Sequence, residues 1–193
     1  MFVVVLALNS PAFAHAPIKG IGVFYNGLLH PLFVPAHLLL LFGLGLLLGQ
    51  HAPGMSRFGW FAFVLALWTG LLVGQVFGIS VSAIFLLIGA LTAGLVVTLG
   101  RPIPGMAAAA ITGLAGVGIG VDSMPEPLTR KETWLTLAGT GLGAVLILSY
   151  VGGIAAWLRQ PWQRIGIRVA GSWTAASALL VLALALVGPK ASG

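Results

Sequence analysis

Apolar residues in this chain run together in long blocks, separated by short clusters of glycine, proline and arginine. A block of about 20 such residues matches a helix that crosses the hydrocarbon core of a bilayer. The pattern predicts six spans. The first covers residues 22 to 50 and contains Pro31 and Pro35. Residues 58 to 99 form one apolar stretch that as a single helix would be about 63 Å long, roughly twice the hydrocarbon thickness. It must therefore fold back, and Gly78-Ile79-Ser80 is the place, giving spans over 58 to 77 and 81 to 99. The fourth span follows the turn Arg101-Pro102-Ile103-Pro104-Gly105 and ends at residue 121. A polar loop over 122 to 132, a fifth span over 133 to 158, a basic loop and a sixth span over 167 to 187 complete the order. Lipid admits only helices or closed barrels, and these runs lack the ten-residue alternation of barrel strands. The expected fold is an all-α polytopic membrane bundle with its first helix broken by prolines.

A short apolar segment precedes the spans. It ends in Ala12-Phe13-Ala14, with small residues at the two positions a signal peptidase inspects, although its only basic group is the Met1 amine. Residues 1 to 14 are thus expected to be a signal peptide, with residues 15 to 193 forming a single six-helix transmembrane domain. Cleavage after Ala14 would make His15 the amino terminus.

Composition supports this picture. Of the chain, 59% is apolar and only 6% charged, against roughly a quarter charged in soluble proteins, so its main partner is membrane lipid. The nine basic and three acidic residues give a formal charge of +6. The basic residues lie at the ends of apolar blocks, which marks them as topology signals and not as a nucleic-acid surface. With the N-terminus outside, inner segments carry Arg57, Arg101, Arg159, Arg164 and Arg168. Outer segments carry Lys19, Arg130, Lys131, Lys190 and all the acids, Asp122, Glu126 and Glu132. Both termini are expected outside. The absence of cysteine excludes disulfides, thiolate metal sites and cysteine nucleophiles.

Glycines recur at four-residue spacing: Gly70, Gly74 and Gly78; Gly45 and Gly49; Gly116 and Gly120; Gly139 and Gly143. Such stripes let helix backbones approach closely. They predict packing within one bundle, with a homo-oligomer interface as the alternative.

No Asp or Glu falls within a span so drawn, so no buried carboxylate relay of the kind many transporters use is expected. Polar groups left to line a path are Tyr25, Asn26 and Gln75, together with His30 and His37 in the first span. In a straight helix those histidines are about 10.5 Å apart along the axis, too far for nitrogens about 2 Å from a shared ion. An unwound segment at Pro31 and Pro35 would change that, as in transporters that bind ions at broken helices. The alternative is two histidines hydrogen-bonded separately within the bundle. A processed His15 could chelate a metal through its amine and ring, and His51 is expected to be a solvated loop residue. No Ser-His-Asp pattern or phosphate loop is present, because Gly116 to Gly120 precedes no βαβ unit. Neither enzyme activity nor a tightly bound cofactor is expected.

Ala14-His15-Ala16, the segment Gly27-Leu28-Leu29-His30-Pro31 with His37 seven residues after His30, and Pro161 to Trp173, set on six spans, resemble the HupE/UreJ family over nearly the whole chain. The resemblance implies a hydrogenase or urease accessory protein of the bacterial inner membrane that passes nickel, or in some members cobalt. The family's first-helix motif is His, five residues, then Asp-His. His30 and His37 match its histidines, while Ala36 stands at the Asp position. A second family motif, containing Phe-His-Gly, falls near Ile111-Thr112-Gly113, where no histidine is found. The implied function is passive facilitation of Ni2+ or Co2+ uptake through His30 and His37, with His15 at the outer mouth. The competing expectation is a non-transporting subunit that packs through its glycine faces against a larger membrane complex.

Overall fold

The computed structural model describes residues 20–51, 53–101, 103–125 and 128–187, so the expected signal segment and His15 lie outside the described residues. Among the described residues there are seven helices and no strand: α1 Val23–Phe33, α2 Pro35–Gly49, α3 Pro53–Phe77, α4 Ala83–Leu99, α5 Gly105–Asp122, α6 Arg130–Trp157 and α7 Pro161–Val187. Helices α3, α5, α6 and α7 are long and apolar enough to cross a membrane, and the bent pair α1 and α2 adds a fifth candidate span. At 17 residues, α4 is a shorter apolar helix.

Local chemistry explains the boundaries. Pro35 disfavours the helical region for the residue before it, and Val34 is accordingly extended, at φ −92° and ψ 108°. Pro35 then occupies the first position of α2, where its missing N–H costs nothing. The chain turns by 71° there. Gly78, at φ +62°, ends α3 in the left-handed region that glycine tolerates, and the Ser82 side chain caps the start of α4. A capping box between Thr129 and Glu132 starts α6. The basic segment expected as a loop before the sixth span is mostly helix. Pro161 opens α7, and the Gln163 side chain accepts from the Gln160 N–H at 2.9 Å, so Arg164 and Arg168 lie on the helix.

Glycine-to-backbone contacts fix the helix pairing. A Cβ added at Gly116 would lie 2.6 Å from the Phe63 carbonyl oxygen, and one at Gly120 would lie 2.5 Å from that of Leu67. Gly70 meets Val117 and Gly74 meets Val121 in the same way, so α3 and α5 run parallel. Gly27 abuts the Thr136 carbonyl, Gly139 that of Phe24 and Gly143 that of Leu28. Gly45 and Gly49 lie against Val151 and Gly152, placing α1 and α2 parallel to α6. Gly94 packs on Gly171 and Ala175, and Gly100 on Arg168, making α4 and α7 antiparallel. Close backbone approach brings dispersion contacts where lipid removes the hydrophobic drive. Gly78 differs from the rest of its stripe. A Cβ there would meet nothing within 4 Å, so its role is the turn and not packing.

Helix α2 lies at the centre. Leu40, Leu41, Leu44 and Leu47 are almost completely buried among Phe63, Leu86, Leu87 and Leu148 from neighbouring helices. Large apolar side chains cover the outside, including Phe58, Leu65, Leu114, Trp173 and Leu184. An apolar core inside an equally apolar surface suits solvation by lipid.

Candidate functional site

The break in the first span assembles three chemically active side chains. Pro31 and Pro35 lack the N–H groups that would otherwise occupy the carbonyls of Gly27 and Pro31, and the bend carries α2 across the end of α1. His30 lies in the last turn of α1, and His37 lies in the first turn of α2. Their ring centroids are 5.3 Å apart, with planes inclined at 66°. Two nitrogens each about 2.1 Å from one ion are at most about 4.2 Å apart, and each centroid lies about 1 Å behind its nitrogen. A separation of 5.3 Å therefore falls within reach of a shared ion, whereas the spacing in a straight helix does not.

The third member is Asp122. Its Oδ2 lies 2.9 Å from His37 Nε2. This corrects the expectation that Asp122 opens a loop and no carboxylate falls within a span, because Asp122 is the last residue of α5 and its side chain is only 16% exposed. It also supplies an acid where Ala36, itself buried, stands at the position of the family's Asp. A carboxylate only accepts, so His37 donates through Nε2–H, and in the neutral ring Nδ1 is then the nitrogen that carries the lone pair. That Nδ1 is buried with no hydrogen-bond partner among the described residues, and His37 as a whole is 0% exposed. A histidine fixed by a carboxylate through one nitrogen, with its other nitrogen unoccupied, has the arrangement of a metal-ligating imidazole and its supporting acid. Among the described residues no group of three His, Cys, Asp or Glu side chains is arranged to hold a metal ion. The cluster therefore offers two imidazoles, with the carboxylate turned toward His37. The carbonyl end of α5 adds negative potential beside the carboxylate.

Two independent paths give the depth of the cluster. From His37 to His51 the chain rises about 21 Å, and from Gly105 to Asp122 about 26 Å. His51 and Gly105 mark the same end of the bundle, since the Ile103 N–H donates to His51 Nε2 at 3.0 Å. In a hydrocarbon core of about 30 Å, the cluster lies nearest the face opposite the end marked by His51 and Gly105. His51 is not the solvated residue expected. Its Nδ1 lies 2.6 Å from the Leu47 carbonyl oxygen, so Nδ1–H donates while Nε2 accepts, and the ring ties the end of α2 to the turn before α5.

Of the other expected residues, Asn26 lies one turn before His30 on α1. Tyr25 is 58% exposed and stacks edge-on with Phe24. The Asn26 side chain donates to the Gly22 carbonyl at 3.2 Å. Gln75 is half-buried on α3, next to Gly74. Thr112, at the position of the family's second-motif histidine, is fully buried and donates to the Gly59 carbonyl at 2.8 Å. It lies about 15 Å along α5 from Asp122, so the missing histidine there does not empty the cluster. Asp122 had a sequence signal after all. It continues the row Ala108, Thr112, Ala115 and Ile119, spaced by four and three residues, all of which are buried.

A family model described as HupE / UreJ protein matches residues 3–181. No curated protein and no solved structure matches the chain.

Proposed function

The chain belongs to the HupE/UreJ family, and on that premise we propose that it lets a divalent metal ion, nickel first and cobalt second, move down its gradient across the bacterial inner membrane. Membership implies an accessory, multi-pass membrane protein in nickel or cobalt handling. The observation that carries the finer reading is the buried Nδ1 of His37, on a ring that Asp122 orients through Nε2 and that packs edge-on against the His30 ring. Imidazole nitrogen suits nickel and cobalt, and two protein nitrogens leave the ion part of its hydration, so that it can leave again. A resident metal centre would call for a fuller ligand set.

In this reading the protein crosses the membrane six times, with α1 and α2 as one broken span and α4 as a short one. Alternating helix directions favour that count, since α3 parallels α5, α1 and α2 parallel α6, and α4 opposes α7. Both termini lie outside. Support comes from Arg57, Arg101, Arg159, Arg164 and Arg168 gathering at the end opposite Asp122, against Arg130 and Lys131 at the Asp122 end among the described residues, the bias that the positive-inside rule describes. The His30–His37 cluster then lies near the outer mouth, with a processed His15 as a first contact for the arriving ion.

The test is nickel uptake into proteoliposomes without ATP or a pH gradient. Wild-type protein should load vesicles well above protein-free controls, with His30→Ala and His37→Ala reducing the rate at least about tenfold. Uptake equal to empty vesicles would sink the proposal and leave the non-transporting subunit as the better reading.

A further inference from the structure

At the end of the bundle away from His30 and His37, a groove of about 370 Å³ opens between the start of α3 and the last turns of α6. Its walls are mainly apolar, formed by Leu48, Phe61 and Leu148, and its volume is that of a small-molecule site. Trp60 crosses it and donates from Nε1 to Ser149 Oγ at 2.9 Å, so a polar strut spans the two helices where their backbones do not meet. Gly153 faces the open space. A Cβ there would meet nothing within 4 Å, unlike those of the packing glycines on the same helix, Gly139 and Gly143.

The rim is cationic. Arg57 lines the groove, is exposed, and makes no hydrogen bond or ion pair among the described residues. Arg159 donates from Nε to the carbonyl of Ala156, a lining residue, at 3.2 Å. Arg164 donates from Nη1 to the carbonyl of Gln50, next to the lining residue Gly49, at 3.4 Å. Each guanidinium has five N–H donors, so most remain available, and among the described residues no carboxylate pairs with any of the three. An apolar slot in the hydrocarbon region under three uncompensated arginines at the membrane surface is complementary to a molecule with a long apolar tail and an anionic head. Basic pockets between transmembrane helices hold anionic lipid head groups in this way.

We propose that this groove binds one anionic phospholipid, its acyl chain lying over Gly153 between α3 and α6 and its phosphate among Arg57, Arg159 and Arg164. The lipid fills the gap that Trp60 and Ser149 only bridge, and so ties the end of α3 to α6. This site is separate from the histidine cluster and does not depend on metal transport.

The test uses full-length protein purified in a mild detergent, with its thermal unfolding midpoint read during titration. The titrants are phosphatidylglycerol, phosphatidylcholine with the same acyl chains, and inorganic phosphate. Phosphatidylglycerol should raise the midpoint saturably, and the other two should not. Arg57→Gln should weaken the apparent affinity for phosphatidylglycerol about fivefold. Gly153→Leu, which fills the slot without touching a neighbouring backbone, should abolish the saturable response; if that variant does not fold, Arg57→Gln alone decides. An equal response to phosphatidylcholine, or a phosphatidylglycerol response that Arg57→Gln leaves unchanged, overturns the proposal. The same rise with inorganic phosphate alone overturns lipid as the occupant.

Discussion

Replacing Asp122 by alanine removes the only acceptor the described residues give His37 Nε2, now at 2.9 Å, while leaving both imidazoles in the chain. Because His37 is 0% exposed, its Nε2–H would be a buried donor without a partner, which costs about 1–3 kcal/mol of stability. Supporting carboxylates of metal-bound histidines are commonly worth 10- to 100-fold in metal affinity, or about 1.4–2.7 kcal/mol. Asp122→Asn separates charge from geometry. It keeps an acceptor oxygen but loses the ionic character that makes such bonds about twice as strong as neutral ones, so a loss of about 1 kcal/mol, close to fivefold, is expected. Nickel binding by titration calorimetry at neutral pH, alongside thermal unfolding of the same samples, gives both quantities. The predicted order of affinity is wild type, then Asp122→Asn, then Asp122→Ala. If both variants lose stability yet bind nickel as tightly as wild type, Asp122 is a packing partner only and His37 does not contact the ion.

His51→Ala should lower the unfolding midpoint, because it leaves the Ile103 N–H and the Leu47 carbonyl without their ring partner, a cost of about 1–3 kcal/mol if the amide stays buried. Gly139→Ala and Gly113→Ala form a matched pair measured by the same thermal assay. A methyl at Gly139 is forced into the Phe24 backbone, whereas one at Gly113 meets nothing within 4 Å. The first should destabilise by about 1–3 kcal/mol, the second should be neutral or stabilise by up to about 1 kcal/mol because alanine favours the helix over glycine, and equal effects would contradict the assigned α1–α6 contact.

The helices were largely legible in the sequence because lipid imposes a length and an apolar character that no loop satisfies. The break at Val34 was legible too, since Pro31 and Pro35 constrain the backbone through φ and the missing donors, whatever the tertiary context. The pairing of His37 with Asp122 was not, because it joins residues 85 apart and depends on where α5 stops relative to the bend. A lone acid at the end of an apolar block looks like the first residue of a loop. Only its continuation of the Ala108, Thr112, Ala115 and Ile119 row sets it on the interior face. His51 gave no signal at all, as its two partners are backbone groups. The basic residues after α6 look like a loop because they are charged, although Pro161 is a favoured helix-starting residue and a Gln163 acceptor follows two positions later.

The central claim is that His30 and His37 contact the same metal ion, with Asp122 acting through His37. X-ray absorption spectroscopy of the nickel-loaded protein tests it most directly, because imidazole rings add a multiple-scattering signature that water and carboxylate oxygens lack. Wild-type protein should show two imidazoles on nickel and His37→Ala one. A nickel environment of oxygen alone, or an imidazole signal unchanged in both His30→Ala and His37→Ala, would contradict the account.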